Sequence, residues 1–136
     1  MSATINSSSP NHVTIELTVP LSTSMLDCED NITKVLNEAG SLAAKTALEQ
    51  LDADGTPIQM GETKWTAKGQ FNKTYQTIWG EVEVKRYTYQ SPKGGRQFCP
   101  LEKDARMVLT ATPGFARCVA SKYAEMGSTR VLFDLK

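Results

Sequence analysis

Histidine is nearly absent from this sequence: His12 is the only one, and the three cysteines, Cys28, Cys99 and Cys118, stand far apart. A Ser-His-Asp or Cys-His catalytic centre would have to be built on His12, at the edge of an alternating segment, where a solvent-facing ring is the simpler reading. An odd, dispersed set of cysteines makes no disulfide framework and reads as small buried hydrophobes in a reducing compartment. No run approaches the about 20 apolar residues that cross a bilayer as a helix. Met1–Ser9 lacks the basic and apolar regions of a signal peptide, so a cytoplasmic location is expected. Net charge is missing too, with 15 basic residues against 15 acidic ones.

What the sequence does contain is a division of that charge. Of its 136 residues, 40% are apolar and 22% charged, an ordinary globular composition. Residues 1–62 hold nine acidic and two basic residues, a net of −7, while residues 63–136 carry a net of +7. Such an asymmetry points to an anionic partner for the basic half.

The hydrophobic pattern predicts an α+β fold. Residues 1–11 are Ser- and Asn-rich and are expected to be a disordered tail. An acidic strand-helix lead-in follows over 12–61. Its strand is the alternation His12–Val19, and its long helix begins at Ser24, an N-cap with Asp27 at N3. Ile32, Val35, Ala39, Leu42, Ala43, Ala47 and Leu51 form the apolar stripe, and Gly40 is a potential break. Residues 62–104 read as a basic antiparallel meander of three to four strands, with Glu81–Tyr89 the clearest alternation and turns at Trp79-Gly80 and Ser91–Gly95. Residues 105–136 read as helical. Thr112 caps a helix with Pro113 at its first position, Ala116, Val119, Ala120, Tyr123 and Ala124 form its apolar face, and Gly127 stops it. A second helix capped by Ser128 would then run from Thr129 to Leu135 and end at Lys136, the outline of a truncated helix-turn-helix.

Few constellations carry chemistry. Asp52-x-Asp54-Gly55 resembles the start of a calcium loop, but the later ligands are missing and helix termination explains it. Acidic residues around the long helix, from Asp27 to Glu49, read as a solvated face. The basic half is the strongest signal: Lys64, Lys68, Lys73, Lys85, Arg86, Lys93 and Arg96 are interleaved with Trp65, Tyr75, Trp79, Tyr87 and Tyr89. Cations can neutralise phosphates and rings can stack on bases, although aromatics on a small sheet also serve as its core. With Lys122 and Arg130 from the helical segment, these cations are the candidate DNA-binding residues.

The segment Tyr75–Tyr89, with Thr77, Gly80, Val82, Val84 and Arg86 in order, resembles a hairpin in the N-terminal part of bacterial insertion-sequence transposases of the ISKra type. The likeness continues through Gly94–Glu102 and through Leu109–Phe115 to the Ser128 cap, and so covers roughly residues 62–136. Relatives carry Cys-x-x-Cys at the turn after the tyrosines. Ser91 and Gly94 stand there in this chain, so no zinc knuckle is implied. Members of that family are also several times longer and carry a carboxylate triad, which binds two metals, on a ribonuclease-H-like domain downstream. The resemblance therefore implies the front portion of a transposase, truncated before its catalytic domain, with no catalytic residue, metal or cofactor of its own. Its expected role is DNA binding or subunit contact, with weak and salt-dependent DNA affinity and scope for self-association. The alternative is a stand-alone protein-interaction or regulatory module that does not bind nucleic acid.

Overall fold

In a computed structural model, the backbone is described for residues 2–134 and the side chains for residues 2–124. The fold is mixed α and β, with antiparallel sheets and three helices. A hairpin of β1 (Ala3–Ser8) and β2 (Val13–Leu17) comes first, followed by α1 (Met25–Gln50). A four-stranded antiparallel sheet in the order β3-β4-β5-β6 then forms from Ile58–Met60, Thr63–Thr77, Gly80–Ser91 and Gly94–Phe98. Two helices close the chain, the short α2 (Pro100–Asp104) and α3 (Pro113–Asp134).

The first eleven residues are not a disordered tail. Ala3 pairs with Leu17 and Ser8 with Val13, and Ala3 is fully buried. The polar composition is accommodated because only one side of the hairpin faces α1, where Cys28 and Val35 are buried. His12 sits in the exposed hairpin turn, where its Nδ1 lies 2.9 Å from the Ser9 hydroxyl.

Helix α1 starts where capping chemistry places it, with the Asp27 amide donating to Ser24 Oγ. It runs through Gly40 without a break, because the glycine lets another element approach. A β-carbon there would clash with the Trp79 ring. The buried end of the helix is Leu48, outside the expected stripe, while Ala47 and Leu51 are exposed.

Strands β4 and β5 form the spine of the molecule, paired from Thr66↔Gln90 to Thr77↔Gly80 around a turn at Ile78-Trp79. Residues directly opposite each other share a face. One face therefore carries Tyr75, Val82 and Val84, packed with Leu48 of α1 and Leu101 of α2 to make the core. A bulge between Ala67 and Gly69 leaves Lys68 without a partner across the ladder and switches the face that β4 side chains occupy beyond it. Strand β3 was not expected from the sequence, and Pro100 does more than end β6: it is the first residue of α2.

The chain crosses an open edge of β5 as it leaves α1. Asp52 accepts the Tyr87 amide at 3.1 Å and the Ala53 amide at 2.9 Å. Gly55, at φ +88°, then brings the backbone against the Tyr87 ring, 2.9 Å from where a β-carbon would stand, and the Tyr89 hydroxyl donates to Thr56 O. The carboxylates that resembled a calcium loop are thus occupied by backbone, since Asp54 accepts the Thr56 amide and hydroxyl.

At the other end, Thr112 caps α3 by accepting the Phe115 amide. The helix then continues through Gly127 as one element to Asp134. The expected turn at Gly127, and with it the helix-turn-helix outline, is corrected. An interior glycine costs about 1 kcal/mol but interrupts a helix only if its backbone turns left-handed. Leu135 and Lys136, the end of the expected second helix, lie outside the described residues.

Candidate nucleic-acid interface

The expected cations do not share one surface. Arg86 is buried on the core face of β5, where its Nε donates to Tyr75 Oη at 2.9 Å. That hydroxyl donates in turn to Glu102 Oε2 at 2.6 Å, and Lys73 Nζ reaches the same oxygen at 2.7 Å. Lys73 also lies 5.5 Å from the centroid of the Tyr75 ring. Burial pushes the Glu102 carboxyl upward. The hydrogen bonds from Lys73 and Tyr75 and the nearby Arg86 charge outweigh that, leaving it below the usual glutamate range. Burial first, and then the bond to Glu102, holds the Tyr75 phenol well above its ordinary value. Lys73 and Arg86 are therefore committed to a Tyr-Glu network between the sheet and α2, and Arg86 has no open path to a phosphate.

Lys85 is exposed but belongs to another face. It stands opposite Asn72, in the same alternation as Glu81 and Glu83, so two acids accompany it. Lys68 projects from the bulge into solvent. Lys122 lies on α3, half-buried; Arg130 is on the same helix, with its side chain outside those described.

Three of the candidates do converge. Lys64 at the start of β4 and Lys93 in the β5–β6 turn line one depression with Trp65. Arg96 of β6 lines a second depression of about 570 Å³, floored by Trp65, Phe98 and Met60. Trp65 is common to both, and it meets Phe98 edge-on at 6.2 Å and 66°. Lys103 of α2, which the sequence reading passed over, stands on the rim of the second depression. Trp65 thus joins two depressions, one with Lys64 and Lys93 and the other with Arg96 and Lys103, into one candidate track. Glu62 and Glu102 border it, the latter neutralised by Lys73 and Arg86. A signal for Lys103 was present in Pro100 followed by Leu-Glu-Lys, which opens a short helix with Glu102 in its first turn and Lys103 in its last.

Cys99 also borders the second depression, and burial raises its thiol above the ordinary value. Its thiolate is therefore scarce near neutral pH, which argues against a nucleophilic role. Among the described residues, no group of three or more His, Cys, Asp or Glu side chains converges in a way that could hold a metal ion.

A separate surface is apolar. The last turns of α1, Ile78 and Trp79, and Thr112–Gly114 enclose a groove of about 470 Å³ with almost no polar lining. No family model, curated protein or solved structure matches the chain.

Proposed function

We propose that this chain is a non-catalytic nucleic-acid-binding module, of the kind that precedes the catalytic domain in insertion-sequence transposases. The observation that carries the reading is the pair of depressions that share Trp65, one lined by Lys64 and Lys93 and the other by Arg96 and Lys103, with rings able to stack on bases. Cations at both ends hold a backbone, and the rings between them offer a stacking platform that every base can use. The module therefore binds weakly, tolerates sequence and loses affinity steeply with salt. Nothing in the track orders a recognition helix into a major groove, so base-specific readout is not part of this reading.

The test is a salt titration of binding to single-stranded and duplex oligonucleotides by the full chain. Replacing Lys64, Lys93 and Arg96 with Ala is expected to flatten the plot of log K against log salt. The loss is about 0.7 in slope per single-strand phosphate contact and about 0.9 per duplex contact. Lys85→Ala is expected to leave the slope unchanged. Absence of any complex at about 50 mM salt with the folded protein would reject the reading and leave protein interaction as the function.

A further inference from the structure

We infer that an apolar seam along α1 is closed by the α3 helix of a second copy of this chain, each copy lending its α3 to the other. The seam is longer than the groove beside Trp79. Met25, Ile32, Leu36, Ala43 and Ala47 recur at spacings of seven, four, seven and four and so follow one stripe of the helix. Met25 is 66% exposed and Leu36 54%, values that an apolar side chain on a packed helix face does not show. The wall opposite is built from Ile78 and Trp79, themselves 49% and 42% exposed, with Pro113 and Gly114. An exposed, largely apolar strip of this kind marks a protein contact.

The chain itself supplies an occupant of the right shape. α3 has 22 residues, yet none of residues 113–124 is buried. Ala116, Val119, Ala120 and Tyr123 nevertheless repeat at three and four, the pattern of a face made to pack. A helix of this length draws most of its stability in a folded protein from such packing. In its own chain α3 only begins at the wall of the seam. Residues 115–124 are not among those that line the groove.

Charge selects the same occupant. Glu29 stands within the stripe. Lys34 and Lys45 lie two positions past Ile32 and Ala43, about 200° round the helix, and so face away, as do Asp27, Glu38 and Glu49, two past Met25, Leu36 and Ala47. The one charge within the stripe is therefore acidic, whereas α3 carries Arg117, Lys122 and Arg130 against Glu125 and Asp134, a net of +1. The opposition between a −7 half and a +7 half has the same sense: an antiparallel pair sets each copy's acidic half beside the other's basic half. A reciprocal exchange about a two-fold axis satisfies both seams and stops at two copies.

Sedimentation equilibrium of the full chain, without nucleic acid, tests this. The expected result is a dimer of the 14.9 kDa chain. Leu36→Glu is expected to give a folded monomer. Arg117→Glu is expected to weaken the dimer by roughly tenfold, and adding Glu29→Arg to that variant to restore it. If Leu36→Glu fails to fold, the Arg117 and Glu29 charge exchange decides alone. A chain that is monomeric at every concentration, or a dimer indifferent to both sites, overturns the inference. Because nucleic acid is left out, the result stands apart from the binding test above.

Discussion

The Trp79 indole lies across the backbone of Gly40, so close that a β-carbon on Gly40 would clash with the ring's Cδ1, Cγ and Cδ2 atoms. Ser41, the next residue, donates its hydroxyl to Trp79 O at 3.1 Å, so the β4–β5 turn is pinned to α1 by a ring and a hydrogen bond together. The glycine that weakens the helix locally is what allows the sheet to dock on it.

Gly40→Ala therefore has a sign that depends on Trp79. In an exposed helix interior the change stabilises by about 1 kcal/mol. Here the overpacked ring must move, and a net loss of about 1–2 kcal/mol is expected. In a Trp79→Ala background the same change is expected to stabilise. Paired thermal unfolding curves, read as a double-mutant cycle, check the reversal.

The Glu102 network gives the protein a pH dependence of known sign. Because the native carboxyl titrates below its ordinary value of 4.5, its contribution is complete above that pH and fades as the pH falls towards the lowered native value. Glu102→Gln is expected to cost about 1–3 kcal/mol at neutral pH, since Tyr75 and the buried Arg86 lose their charged partner. The difference between the two proteins should shrink steadily below pH 4.5. Denaturant titrations across that range measure it, and a constant difference would deny Glu102 this role.

Thiol reactivity should rank the cysteines by environment. Cys118 is exposed, Cys99 is half-buried with its thiol pushed up by desolvation, and Cys28 is buried. A maleimide followed by mass spectrometry is expected to modify Cys118 first, then Cys99, and Cys28 only on unfolding. Early labelling of Cys28 would mean that the β1–β2 hairpin opens readily from α1.

Local chemistry in the sequence marked a good part of this fold. The Ser24 cap, Thr112 before Pro113, and the alternation from Glu81 to Tyr89 each reflect forces that act within a few residues. What was hidden depends on distant partners. The β1 strand reads as polar lead because its support comes from α1, and Leu48 lies outside the expected stripe because the sheet lies to one side of the helix. Lys73 and Arg86 looked like surface cations because Glu102, which holds both, follows them by 29 and 16 residues. In the candidate site, Lys64, Lys93 and Arg96 were legible as cations near aromatics. Their meeting at Trp65 was not, since it follows from the strand order and from the short helix that brings Lys103 alongside.

Asp52 bears on solubility as well as on the fold. Strand β6 pairs with β5 only at Tyr89 and Ser91, so the earlier part of β5 is a border where another strand could add itself and seed aggregates. The Asp52 carboxylate sits on that border, holding the Tyr87 amide and placing a negative charge where an incoming backbone would align. Asp52→Asn keeps an acceptor for the amide and removes the charge. It is expected to leave the melting temperature nearly unchanged while the protein becomes prone to fibrillar assembly at high concentration. Light scattering and thioflavin fluorescence would register the difference. Asp52, the residue after the C-cap of the first long helix, is thus expected to act as a gatekeeper against amyloid-like growth as well.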